Sequence, residues 1–312
     1  MVLGSLVMEL VTPILELFLP IVPGDVFPYF FGKEIAGEPV EMFQRALISS
    51  LMVTIVAGIL GTYLLTQNLA LIGDGLAHVS FGGIAVGLVL GATTPLWYAL
   101  IFSFTASILI YELQSREILT GDASIAIFLT GVLALGLVTL RLGGGAITTD
   151  IEAWLFGSLL AVDKGELELI TYICFSALVI LAVIHRGLLA VAIDPLAARV
   201  QGLPVHNIGL LFSVTTAAVV VSMVQIVGTL LVTALLVTPA ATAQLVGRSF
   251  RSCLIWAQVF GFISIMLGLY FSSETNTPSG SMIALVAAII FGVVAICQAT
   301  YRSFIQPADN MN

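Results

Sequence analysis

Residues 46–66 read ALISSLMVTIVAGILGTYLLT, twenty-one positions without a charged side chain. An α-helix needs about 20 apolar residues to cross the hydrocarbon of a bilayer, so this stretch reads as a transmembrane span. Working outward, comparable runs lie at about 74–91, 95–113, 122–141, 167–186, 206–222, 225–246, 253–272 and 280–300. That makes nine spans. The pair 206–222 and 225–246 is almost continuous, and as one long helix it would reduce the number to eight. Residues 1–31 are apolar as well, but Pro13, Pro20, Pro23 and Pro28 interrupt them, so an interfacial or short membrane-embedded segment is expected there. The expected organisation is an N-terminal extension over 1–41, a transmembrane domain over 42–303 and a cytoplasmic tail over 304–312. The fold class is an all-α polytopic membrane bundle.

Composition points the same way. Of 312 residues 59% are hydrophobic and 9% charged, against roughly 25% charged in a soluble domain; the mean hydropathy is +1.14. So few charges could not cover a soluble globule of this size. Ten Lys and Arg against eighteen Asp and Glu give a net charge of −8, which argues against nucleic acid as a partner and leaves no polybasic lipid-binding patch. Cys174, Cys253 and Cys297 sit apart in apolar stretches without metal-ligand spacing, and are expected to be buried packing residues. The first thirty residues lack Lys and Arg, so no secretory leader is expected. With no G-x-x-x-x-G-K-[ST] loop, ATP hydrolysis by that route would fall to another chain.

Basic loops set the orientation. Arg116, Arg186, Arg199, Arg248, Arg251 and Arg302 fall on one side when the spans alternate, and that side is expected to be cytoplasmic. The other side collects Asp150, Glu152, Asp163, Glu166, Glu168 and Glu274, with Glu34, Glu38 and Glu41 upstream. Such an acidic face either concentrates cations or is simply a solvated surface whose field salt would screen.

Ionisable groups inside spans are costly and therefore candidates for function. The clearest are Asp74 and His78 in the stretch IGDGLAHVSFGG, 72–83. On a helix they stand at i and i+4 on one face, where a carboxylate oxygen and an imidazole nitrogen could share one divalent first-row ion with open positions left for water. The competing reading makes Asp74 a helix N-cap and His78 its hydrogen-bonded partner. Weaker candidates are Gln225 and Pro239, as pathway or kink positions. His185 ends a span, and His206 has no carboxylate at helical spacing. Between spans, IDPLAARVQGLPV (193–205) predicts a short cytoplasmic helix. Asp194 serves as its cap, Pro195 takes the first position, Ala198 and Arg199 lie within it, and Gly202 ends it before Leu203 and Pro204. Such a helix is either a connector or a docking element.

Taken together these segments resemble the integral permease subunits of ABC importers for zinc, manganese or iron, the ABC-3 family. Over about 43–302 the family's pieces occur in order. LIGDGLAH (71–78) resembles L-[LI]-G-D-A-[LI]-S-H, and GIA (83–85) its continuation; LFGSLL (155–160) resembles L-F-G-N-L-L. The loop DP…GLPV (194–205) resembles the family's D-P-E…G-L-P-V, and VGTLLV…TPAATA (227–243) its V-G-x-L-L-V…P-A-A-T-A. Ala77, Gly82, Ser158 and Leu196 depart from the usual Ser, Pro, Asn and Glu; TNTPSG (275–280) resembles the late L-D-x-P-[ST]-G segment, and the resemblance makes Asn276, where Asp is common, a further weak pathway candidate.

The resemblance implies a type II ABC importer permease-like bundle in the cell membrane that works as a homodimer. It implies a cytoplasmic ATPase on each copy and an extracytoplasmic metal-binding protein. No cofactor would be permanently bound; zinc, manganese or iron would be the substrate. Asp74 and His78 become the metal ligands, and the helix in 194–204 becomes the ATPase-coupling helix. The rival readings are a permease for a metal chelate such as a siderophore or corrinoid, an ion-gradient-driven secondary transporter, and a membrane scaffold.

Overall fold

The computed structural model describes residues 3–32, 34–35, 38–39, 41–143, 154–157, 162–229 and 232–305. The helices are α1 (Leu3–Phe18), α2 (Glu41–Thr66), α3 (Ile72–Val89), α4 (Leu96–Ser115), α5 (Gly121–Leu142), α6 (Lys164–Ile193), α7 (Pro195–Val200), α8 (Val205–Val227), α9 (Val232–Leu236), α10 (Thr238–Val246), α11 (Phe250–Thr275) and α12 (Ser279–Ile305). A helical turn at 154–156 precedes α6. Two-residue strands, Glu34–Ile35 and Glu38–Pro39, pair antiparallel before α2.

Three helices form the centre. α2, α3 and α8 are buried along most of their length, while α5, α6, α11 and α12 bury only one side. α5 and α4 pack on α3, α4 and α6 on α8, and α6 and α11 on α2; α12 closes against α11 and the α9–α10 pair. Hydroxyls in the buried core of α2 are satisfied within their own helix: Thr54 donates to the Ser50 carbonyl at 2.7 Å and Thr62 to that of Gly58 at 2.8 Å, the usual solution where no water is at hand. Small residues let the helices approach. Gly61 faces the Leu236 carbonyl, Gly83 the backbone of Tyr98 and Ala99, and Gly82 the backbone of α5, as in close-packed membrane helices.

Among the described residues nine helices are long and apolar enough to cross a membrane, the number expected, with one exchange of membership. Leu3–Ile21 is among the nine, whereas Val232–Val246 is a shorter apolar piece. The near-continuous run 206–246 breaks later than the sequence suggested. α8 continues through Gln225 to Val227, and the chain turns at Gly228, with φ +83°. Gly228 packs against Gly157, itself at φ +76°, and a Cβ at either position would be both strained and in contact with backbone. The Thr229 amide donates to the Trp154 carbonyl at 3.1 Å. Leu230 and Leu231, like Ser158–Leu160 and residues 306–312, lie outside the described residues. After the break α9 and α10 return the chain to the basic end, with Pro239 at the start of α10.

The cysteines correct an expectation. Cys174 is buried, but Cys253 is half-buried and Cys297 exposed. An apolar run on a peripheral helix faces lipid as much as protein, so hydrophobic neighbours in sequence do not imply burial in the bundle.

The approach of α2 to the α9–α10 pair is testable. Gly61→Val should lower stability by roughly 1–3 kcal/mol, the usual cost of overpacking, whereas Gly131→Ala, where a new Cβ meets nothing within 4 Å, should be neutral or slightly stabilising. Thermal unfolding of the purified chain in detergent measures both.

Candidate metal site

Asp74 and His78 lie one turn apart on α3. His78 Nε2 is 3.7 Å from Asp74 Oδ1, with the Asp74 side chain 31% exposed and that of His78 13%. α3 begins at Ile72, and its N-cap, Leu71, has no side-chain bond. Asp74 is therefore inside the first turn and does not serve as the N-cap. Its charge there is favoured by the helix dipole. The Thr233 hydroxyl, from α9, donates to Asp74 Oδ1 at 3.5 Å. On either side of Asp74, Gly73 admits the Leu236 side chain and Gly75 that of Ile125, so α9 and α5 close around the carboxylate. α3 stays helical through the glycine-rich stretch.

His78 Nδ1 is buried and has no hydrogen-bond partner among the described residues, an uncommon condition for a polar atom in a folded interior. Among the described residues no group of three or more His, Cys, Asp or Glu is placed to hold a metal ion. The site thus offers one carboxylate, one imidazole and a neighbouring hydroxyl. Such a set can hold a hard or borderline divalent ion through part of its coordination sphere and leave the remainder to water.

The loop 193–205 folds as the short helix α7. Asp194 Oδ1 accepts from the amides of Leu196 and Ala197, both at 2.9 Å, and Pro195 occupies the first turn. The helix ends at Val200 with Gln201 as its C-cap, and Gly202, φ +81°, turns the chain out of it, with the Leu203 amide donating to the Ala198 carbonyl at 3.1 Å; Pro204 caps α8. Ala198 is buried and anchors the helix, while Leu196 is 71% and Val200 89% exposed. Pro195, Leu196 and Arg199 border a cavity of about 920 Å³ at the basic end.

The weaker candidates remain separate. Gln225 is buried, its Oε1 without a partner among the described residues. Pro239 lies towards Gly261 of α11. Asn276 is an exposed left-handed residue, φ 53°, that ends α11. No hydrogen bond or ion pair joins any of them to Asp74 or His78 among the described residues.

Two partners had no signal in the sequence. Thr233 meets Asp74 across 159 positions. Glu112 of α4 pairs with His206 Nε2 of α8 at 3.2 Å and with Arg116 Nε at 2.9 Å, giving His206 the carboxylate that local spacing lacked. His185 Nδ1 lies 2.7 Å from the Ala182 carbonyl of its own helix. At the opposite end several acids serve local structure. Asp163 and Glu166 form a reciprocal capping box at the start of α6, Glu41 pairs with Lys164 at 3.3 Å, and Glu274 accepts from the amides of Val26 and Phe27. Asp150 and Glu152 lie outside the described residues.

Residues 39–298 match the family model described as the ABC 3 transport family. The chain is 33% identical over 251 residues to the manganese import system permease protein ScaB of Streptococcus parasanguinis, covering 80% of this chain and 89% of ScaB. It is 33% identical over 252 residues to the manganese transport system membrane protein MntC of Halalkalibacterium halodurans, covering 80% and 85%. Its fold is similar to that of a chain in the structure of PsaBC from Streptococcus pneumoniae in complex with Fab, with a TM-score of 0.74 and 31% identity over 85% of this chain and 95% of that one.

The cap on α7 gives a direct test. Asp194→Ala removes both side-chain bonds to the first turn, a loss of about 1 kcal/mol. Hydrogen exchange of the amides in Ala198–Val200 should accelerate roughly fivefold, with exchange in α8 unchanged.

Proposed function

The chain belongs to the ABC 3 transport family, and we propose that it is the membrane-spanning permease of an importer that carries manganese, in which Asp74 and His78 bind the ion during its passage. The observation that carries this reading is the pair itself. A carboxylate and an imidazole share one face of a mostly buried helix, with a hydroxyl on the carboxylate and an imidazole nitrogen without a partner among the described residues. In a bilayer such groups are retained at a cost, and a passing cation would offset it.

In this reading the donor set would give moderate affinity. Two protein ligands and water hold a divalent ion weakly enough for release, whereas a closed four-ligand site would trap it. Manganese is put first because the relatives' names give it and because carboxylate and water suit it; the imidazole suits zinc and iron as well. In this reading the chain supplies no ATP chemistry. Two copies would frame the pathway, with an ATPase seated on the exposed Leu196 and Val200 of each α7 and an extracytoplasmic binding protein delivering the ion. Closure of the ATPases would displace α7 and with it the base of α8. Net inward movement requires the pair to bind the ion more tightly in the outward-open state than in the inward-open state.

The test is uptake by vesicles containing the chain with its ATPase and binding protein, assayed separately with manganese, zinc and iron. Removing an outer-shell partner of a metal ligand typically costs 10–100-fold, so Asp74→Ala and His78→Ala should each reduce ATP-dependent manganese uptake about a hundredfold or more, leaving assembly intact. Unchanged uptake in both variants would refute the site. Uptake of zinc or iron in preference to manganese would refute the choice of ion alone.

A further inference from the structure

Away from Asp74, on another side of the bundle, α6 and α11 both pack on α2 but share at most a marginal contact with each other. The gap between them is a cleft of about 970 Å³ floored by α2. Its depth is visible on α2, a helix otherwise buried at its centre, where Ile55 is 48% exposed. The walls are apolar: Ile59, Leu178, Leu181, Leu189, Leu254 and Ile255. The carbonyl of Ile55 is occupied by Gln258 Nε2 at 3.0 Å, so the floor presents no free polar backbone group there.

The rim differs from the walls. Arg186, from α6, and Arg251, from α11, stand at the basic end of the cleft with His185, on the side that the positive-inside rule makes cytoplasmic. No carboxylate lines the cleft, and neither arginine has an acidic partner among the described residues. At its other end the cleft continues into a smaller hollow of about 220 Å³ bordered by Leu3, Met52, Thr171 and Phe175, with Ile55 and Leu178 common to both. From Arg186 to Thr171 along α6 is about 22 Å at 1.5 Å per residue. One leaflet contributes only about 15 Å of hydrocarbon, so the track is long enough for a full acyl chain.

We propose that this cleft holds one anionic phospholipid of the cytoplasmic leaflet, its acyl chain lying on Ile55 between α6 and α11 and its phosphate held by Arg186 and Arg251. Two guanidinium groups with no acidic partner among the described residues match a phosphodiester in charge and in hydrogen-bonding geometry. The site is a pair of arginines on an apolar groove, distinct from a polybasic surface patch, which the composition excludes. A bound lipid would fill the gap between α6, next to α7, and α11 without a protein contact. It would stabilise the bundle on the cytoplasmic side.

The purified full-length chain in detergent, mixed with equal amounts of phosphatidylglycerol and phosphatidylcholine bearing identical acyl chains, is analysed by native mass spectrometry. One phosphatidylglycerol per chain should be retained in clear excess. Arg186→Gln with Arg251→Gln, both at exposed positions, should cut that preference roughly thirtyfold, the value for two basic side chains near a headgroup. Ala182→Trp, which fills the cleft, should reduce retention of both lipids, with circular dichroism reporting an intact fold. Equal retention of the two headgroups by the unmodified chain would overturn the proposal. So would a preference unaltered in the double arginine variant, or lipid retention indifferent to Ala182→Trp. Dimerisation of the chain that Ala182→Trp abolishes would overturn it too, making the cleft the seat of a second copy.

Discussion

A peptide group that lacks a partner in hydrocarbon costs several kcal/mol, so a chain can abandon helical geometry inside a bundle only where protein closes over the break. The turn at Gly228 meets that condition. The Thr229 amide is taken up by the Trp154 carbonyl, and Gly157 and Gly280 allow backbone to approach Val227 and Gly228 closely. Without the 154–157 segment the turn would leave polar groups exposed to lipid. With it, the chain reverses, α9 descends beside α3, and Thr233 arrives at Asp74. The candidate site is thus a consequence of how one non-helical stretch is satisfied.

The same dependence separates what the sequence showed from what it hid. Long uncharged runs such as 46–66 and 280–300 are visible because hydrocarbon thickness dictates their length and composition, whatever their neighbours. The position of the break was not visible. Within 206–246 several residues could have ended α8, and Gly228 does so because Gly157, 71 positions earlier, lies against it. Asp74 and His78 were legible from their i and i+4 spacing, yet Thr233 was not, because its contact is made by topology. Glu112 and His206 show the same limit, since nothing near His206 in sequence announces a carboxylate. The capping reading of Asp74 failed for a local reason: α3 starts two residues earlier, at Ile72, which turns a candidate cap into a first-turn side chain directed at α9.

Burial likewise could not be read from hydropathy, because two solvents accept apolar side chains here. α2 and α8 hide theirs among other helices; α5 and α12 present theirs to lipid. Cys174 and Cys297 stand in equally apolar sequence and end in opposite environments. The peripheral helices can therefore leave gaps without exposing polar backbone, and the cleft over Ile55 is one such gap, tolerable in a membrane because lipid can fill it.

The proposed coupling follows from the stiffness of α8. α7 leads through Pro204 into α8, which runs unbroken from Val205 to Val227, about 35 Å at 1.5 Å per residue. Its base is tied to α4 by Glu112 and His206, and its far end is the Gly228 turn. A helix of that length, packed on both sides, transmits displacement far better than it bends. A push on α7 is then expressed where the chain is least regular, at the turn that positions Thr233. A small shift there alters the distance between a hydroxyl and the Asp74 carboxylate, and with it the number of donors an ion on Asp74 can use. Affinity for a cation held by so few protein ligands would change steeply when one of them moves, so the sparse donor set that would permit release would also make the proposed site sensitive to motion at the opposite end of α8.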